Sequence, residues 1–342
     1  QPEQALDVLR TASQALPNAA VLHLALGEFY LAQNQAAQAM SSLRRAEKLA
    51  ATPLSALRLA QALVQLGHHA EARQLLSRAV ERPGAHQPDV WPELAHTYAQ
   101  VLRVQGDLPL AVQMFTEVVN LQPDDLPARL ELAQALVASE EQAAAQQAIQ
   151  HLDQALEMIS SPTVGADLRV GPPVGHQPHG LLEARLRASL AEACRISGDL
   201  PRALENYRQV FDLPVSDCLA EYSNDYSRDY SPSRLAAGFG QVALQLDQPQ
   251  TALAILKEAV RLDPGDLFLQ RLLSEAYLAC GLPQEAFETA QSVLDRSPAS
   301  LENLNWFIDQ GLRIEESPAG PAQISVRQHL INALDFASRL AP

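Results

Sequence analysis

The chain has 342 residues, of which 47% are hydrophobic but only 5% aromatic, with Ala, Leu and Val supplying most of the apolar share. That mixture favours close-packed helices and argues against an all-β fold, which needs β-branched and aromatic residues. Forty acidic against 25 basic residues leave a formal charge of −15, spread as 17 against 10 up to Ser160 and 23 against 15 beyond it. A phosphate backbone would be repelled, which excludes nucleic acid as a partner, and no apolar run approaches the roughly 20 residues of a membrane helix.

The chain opens with a helical stripe, Ala5, Leu9 and Ala12, that reads as the second helix of a two-helix unit. That beginning predicts a piece of a longer protein. The same stripe then recurs, with a small residue at Ala39, Ala72, Ala111, Ala148, Ala203, Ala252 and Ala286, so that successive gaps from Ala5 are 34, 33, 39, 37, 55, 49 and 34. Four residues after each marker stands a larger apolar residue: Leu43, Leu76, Phe115, Leu152, Tyr207 and Leu256, with Ala290 the exception. Three further on comes Ala46, Ala79, Val118, Ala155, Val210, Ala259 or Val293. Alanine lets two helix backbones approach, and the larger residue on the same face fills the adjoining gap. Each marker helix is preceded by another with its own stripe, for example Leu26 and Tyr30, Leu59 and Leu63, Tyr98 and Leu102, Leu132 and Leu136, or Leu273 and Tyr277. Asn34, Gly67, Gly106, Gly198, Asp247 and Gly281 mark the turns within pairs, and Pro17, Pro123, Pro264 and Pro298 mark the ends of units.

Leu26-Gly27-x-x-Tyr30 followed by Ala39-x-x-x-Leu43-x-x-Ala46 resembles the signature of the tetratricopeptide repeat, and the resemblance runs from Gln4 to about Gly311. It implies an all-α fold, a right-handed α-solenoid of antiparallel helix pairs with a C-terminal capping helix. The expected organisation is a half-repeat plus repeats 1–4 over residues 1–159, a Gly/Pro-rich insertion at 160–180, repeat 5 at 181–213, and a Tyr-rich insertion at 214–232. Repeats 6–8 follow at 233–321, with the cap at 322–342. The pattern departs from the family where a bulky residue is expected early in the first helix: His23, Ala56, Ala95, Arg129, Arg187, Ala236, Gln270 and Leu304 stand there. Glu315 to Pro321 reads as a broken turn, and Ile324, Leu330, Leu334 and Ala337 as the inward face of the cap.

Both long insertions connect a second helix to the next first helix, which places them on one edge of an alternating array. The second carries Tyr222, Tyr226 and Tyr230 at intervals of four, an edge-loop candidate for partner contact. Binding, packing across the array and disorder all stay open for the two loops. A smaller insertion, Arg82 to Pro88, receives no role.

No catalytic, metal or cofactor constellation emerges. His176 and His179 are three residues apart, but no Cys or clustered carboxylate completes a metal set. His68 and His69 follow a turn and are expected to cap a helix end. Gly238-Phe-Gly240 is half of a dinucleotide fingerprint without a preceding strand, so its small residues are assigned to helix packing. Cys194 and Cys280 fall in helical patterns as small hydrophobes, and Cys218 in a loop.

In the family that the chain resembles, the first helices line a concave groove. The matching positions here are Val21, Leu24, Glu28 and Leu31, then Leu54, Leu57, Gln61 and Val64, then Glu93, His96, Gln100 and Arg103. Further on they are Arg185, Ala188, Glu192 and Arg195, with Arg234, Gln241, Arg271 and Glu275. The resemblance therefore implies a groove that changes from apolar to arginine-containing, with Leu24, Leu57, His96, Gln100, Arg103, Arg185, Arg195, Arg234, Gln241 and Arg271 as candidate partner contacts. Leu24 and Glu28 replace the Lys and Asn with which chaperone-binding members grip a C-terminal carboxylate, which speaks against that activity. The implied function is a non-enzymatic, cofactor-free scaffold for a protein or peptide partner. Two alternatives stay open: the recruiting arm of a larger enzyme, and an assembly module of a multiprotein or membrane-associated complex.

Overall fold

The computed structural model describes residues 2–160, 179–212, 231–298, 300–316, 327 and 329–333. Sixteen helices are bounded within residues 2–316, residues 327 and 329–333 are helical as well, and among the described residues there is no strand. They fall into two compact units, residues 1–161 and 162–342. Unit 1 contains α1 (Pro2–Ala15), α2 (Ala20–Ala32), α3 (Ala36–Leu49), α4 (Pro53–Gln65), α5 (His69–Ala79), α6 (Trp91–Val104), α7 (Leu108–Leu121), α8 (Leu126–Val137) and α9 (Gln142–Ser160). Unit 2 contains α10 (His179–Ser197), α11 (Leu200–Asp212), α12 (Pro232–Gln245), α13 (Pro249–Leu262), α14 (Leu267–Ala279), α15 (Pro283–Arg296) and α16 (Leu301–Glu316).

Local chemistry fixes where these helices start and stop. Thr52 accepts a hydrogen bond from the Ser55 amide at 3.1 Å while Ser55 Oγ accepts from the Thr52 amide at 3.0 Å, a reciprocal cap ahead of Pro53. Asp125, Ser231 and Asp266 cap α8, α12 and α14 in the same sense. At the other end, Gly67 has φ +76°, its amide donates to Val64 O at 2.9 Å, and the His68 amide donates to Leu63 O at 2.8 Å. That pair of bonds satisfies carbonyls which the helix leaves without intrahelical partners. All six turn residues read from the sequence have positive φ. Glu140, φ +57°, is a seventh that the sequence did not announce, because glutamate carries no preference for that region.

The expected packing stripe is the core. Ala39, Ala72, Ala111, Ala148, Ala203, Ala252 and Ala286 are all fully buried, as are Leu43, Leu76, Phe115, Leu152, Tyr207 and Leu256. In α1 the stripe is weaker: Ala5 is exposed, and Leu9 and Ala12 are half-buried. Within unit 1, α2 packs on α3, α4 on α5, α6 on α7 and α8 on α9, while α2, α4, α6 and α8 also neighbour each other in sequence along one layer. Unit 2 repeats the scheme, with α10 on α11, α12 on α13, α14 on α15, and α12 beside both α10 and α14. Each unit is thus a two-layer stretch of all-α solenoid, with first helices forming one layer. Close approach depends on missing side chains. A Cβ on Gly240 would come within 2.7 Å of Leu256, and one on Gly27 would run into Leu43.

Several local expectations are corrected. α16 continues through Glu316, so the chain does not break at Glu315; Ile314 is buried in the core with Phe307 and supports that last turn. His68 occupies the start of α5 but makes no side-chain capping bond, and His69 is the first helical residue. The insertion read from 160 to 180 is helical at both margins, at Ser160 and from His179. Arg82 to Pro88 does have contacts: Arg82 bonds Glu47 and, at 2.9 Å, Thr52 O, while His86 lies 3.8 Å from the Trp91 ring. Of the cap, Leu330 and Ala333 are buried against Phe287, Phe307 and Ile308. Ile324, Leu334 and Ala337 lie outside the described residues, as do Cys218, Tyr222, Tyr226 and Tyr230.

Candidate functional site

Because α2, α4, α6 and α8 run side by side, polar side chains of one helix reach the next first helix. Arg58 of α4 donates through Nε to Glu28 of α2 at 3.0 Å and through Nη1 to Glu93 of α6. Gln61, one turn on from Arg58, donates to the same Glu93 oxygen at 2.8 Å and accepts from Arg58 at 3.1 Å. Burial works against the Arg58 charge, but Glu93 and then Glu28 overcome it and hold the guanidinium firmly protonated. The chain of contacts continues on α6. His96 Nε2 lies 3.1 Å from Glu131 Oε2 of α8, and Gln100 Nε2 donates to Glu131 Oε1 at 2.9 Å. The imidazole meets Phe115 of α7 edge-on at 5.8 Å. Burial would keep Glu131 protonated, but His96 and Arg103 outweigh it and lower its pKa.

This layer gathers His96, Gln100 and Arg103 around Glu131, which sequence reasoning passed over. Glu131 follows His96 by 35 residues, one more than the spacing from Tyr98 and Leu102 to Leu132 and Leu136, so it stands one place off the register from which groove positions are read. Leu24 is half-buried on α2. Leu57 corrects the expectation of a groove contact, since it is fully buried and presents no surface to a partner. Its neighbour Arg58 takes the inner-layer place. One residue rotates the side chain by about 100° around the helix, which is enough to move it from the layer surface into the core.

In unit 2 two of the candidate arginines, Arg195 and Arg271, form ion pairs within the fold. Arg195 pairs with Glu192 one turn earlier at 2.8 Å, and Glu192 accepts a hydrogen bond from the Tyr207 hydroxyl. Burial first, and Glu192 second, push the Tyr207 pKa well above the ordinary phenol value, so it remains a donor at any physiological pH. Gly238 makes room for this cluster, since a Cβ there would strike both the Tyr207 hydroxyl and Glu192 Oε1. Arg271 bonds Glu302 at 2.6 Å and lies over the Trp306 ring, whose Nε1 donates to Glu275 at 3.2 Å. Arg185 is part-exposed on α10, Arg234 exposed at the start of α12, and Gln241 part-exposed two turns later.

A layer of parallel first helices that displays fixed polar and aliphatic side chains, backed by a layer of second helices, defines an α-solenoid interaction scaffold. Residues 55–86 and 238–300 each match a tetratricopeptide repeat family profile. A tetratricopeptide repeat protein from Parabacteroides merdae is 12% identical, with 92% of this chain and 98% of that one covered at a TM-score of 0.50. The C-terminal part of a TPR repeat-containing protein from Cytophaga hutchinsonii is 14% identical, with 83% and 98% covered at the same TM-score. At such identities the likeness concerns the fold alone. Comparison with curated protein sequences returns no match. Both units therefore carry tetratricopeptide repeats, and such repeats indicate a protein-protein interaction scaffold. Among the described residues no helix is long and apolar enough to cross a membrane.

Proposed function

We propose that the inner layer of unit 1 binds an extended segment of a protein partner. The observation that carries this reading is the lateral chain from Glu28 through Arg58 to Glu93 and from His96 and Gln100 to Glu131, which fixes polar side chains before any ligand arrives. Beside it, Leu24, Leu31, Leu54 and Val64 are only part-buried and Val21 is exposed. Pre-ordered polar groups give orientation at little further entropic cost, and the aliphatic positions supply burial. Within unit 2, and separately from that site, Arg185, Arg234 and Gln241 are assigned to polar contacts because each keeps part of its surface exposed. Arg195 and Arg271 are assigned to holding the fold, because each faces a carboxylate of its own unit.

The test is selection of peptides from a displayed random 12-residue library on the immobilised chain, followed by affinity measurement. Leu24→Asp with Val64→Asp is expected to weaken the selected peptides at least tenfold, and Arg195→Glu to act only through stability. Capture undiminished by the double variant would overturn the assignment to unit 1.

A further inference from the structure

We propose that the His96–Glu131 contact is a proton-operated clasp that sets how tightly α6 and α8 are held together. It rests on the reading of these helices as partner-facing, and it names the regulation of that surface.

The pair is largely enclosed. The His96 and Glu131 side chains retain only 26% and 18% of their exposure, so water screens the pair poorly. Gln100 Nε2 lies 3.4 Å from His96 Nε2 and donates to the other Glu131 oxygen. The carboxylate accepts only, so it favours a hydrogen on the ring nitrogen that faces Glu131 whether or not the ring is charged, and that nitrogen then accepts nothing from Gln100. The proton that comes and goes is then the one on Nδ1. Protonation neither makes nor breaks the hydrogen bond; it turns a neutral donor to a carboxylate into an ion pair, which adds the attraction of opposite charges in a part-buried place.

The groups acting on the ring are Glu131 on α8, Asp125 at the cap of α8 and Glu93 on its own helix, itself tied to Arg58 of α4. Arg103 acts on Glu131 from α6. Phe115 supplies no charge from α7. Burial lowers the tendency of His96 to charge, but Glu131 above all, with Asp125 and Glu93, more than offsets it, and the folded-state value is raised. A raised histidine value contributes stability that is complete below the unfolded value of about 6.5 and is lost as pH climbs through the folded one. The clasp is therefore tightest in mild acid and slackens toward the alkaline side.

The experiment follows the His96 ring by NMR through a pH titration of the full chain, with His96→Gln identifying the resonance. The expected midpoint lies above the ordinary histidine range and falls in Glu131→Gln. A midpoint below that range, or one unmoved by Glu131→Gln, overturns the clasp. Amide hydrogen exchange in α6 and α8, corrected for intrinsic rates, should speed up several-fold on crossing the midpoint, with α2 and α3 unchanged. In His96→Gln, which keeps a donor but cannot titrate, this pH response should vanish. Equal protection on both sides of the midpoint in the wild type overturns the proposal even where Glu131→Gln fails to fold. Neither readout uses a ligand, so a chain that captures no peptide would remove the groove reading and leave the clasp standing.

Discussion

Unit 1 and unit 2 each hold a carboxylate against a titratable donor, and they place it differently. In unit 1, Glu131 meets His96 between two first helices of neighbouring repeats, on the layer whose side chains stay part-exposed. In unit 2, Glu192 meets Tyr207 inside a single helix pair, with Tyr207 fully buried, Phe239 stacked on it at 5.7 Å, and Gly238 above. The first arrangement couples one repeat to the next and remains within reach of solvent and partner. The second joins the two helices of one pair under a roof supplied by α12, and its Tyr207 has no access to solvent. A polar group in such an array thus acts according to which joint it occupies rather than which residue type it is.

Four substitutions test that contrast, in falling order of expected effect. Tyr207→Ala removes a buried ring and leaves Glu192 with Arg195 alone; it should lower stability by about 3–5 kcal/mol, read as the shift in a urea midpoint. A loss below about 1 kcal/mol would mean that Tyr207 is not closed off from solvent. Gly238→Ala forces a methyl group against Tyr207 and Glu192 and should cost about 1–3 kcal/mol, with the near-ultraviolet signal of the ring altered. Arg58→Met keeps the aliphatic stem but leaves Glu28 and Glu93 without their shared cation. A loss of roughly 1–2 kcal/mol is expected, with faster amide exchange in α4 and α6 and none in unit 2. Arg44→Ala breaks a pair with Glu71 whose side chains are 50% and 48% exposed, so calorimetry should find less than about 1 kcal/mol. A larger value there would show that exposed pairs on the second-helix layer also couple repeats.

The fold was legible because its core is periodic: an alanine, then a large residue four positions on, satisfies helix contact in every unit alike, and all seven markers from Ala39 onward are buried. Turns were legible where they use Gly, Asn or Asp, and illegible at Glu140, whose positive φ follows from the closure of its pair. The candidate site was readable only in part. His96, Gln100 and Arg103 lie part-exposed on α6, but Leu57 and Arg58 differ by one position, and a family register does not resolve a rotation of about 100°. Arg195 and Arg271 looked like ligand contacts because a sequence displays a charge without its partner. Glu192 lies one turn from Arg195, and Glu302 lies on the next first helix of unit 2.

The sequence by itself determined the class of structure: helix pairs, their number over most of the chain, their turns and their packing face. Each is set by neighbours a few residues apart, or by a pattern that repeats. Tertiary structure alone decided which charges face each other. Arg58 with Glu93, His96 with Glu131, and Tyr207 with Glu192 are separated by 35, 35 and 15 residues. Whether such a pair is shared between repeats or enclosed within one depends on the joint that brings the two helices together.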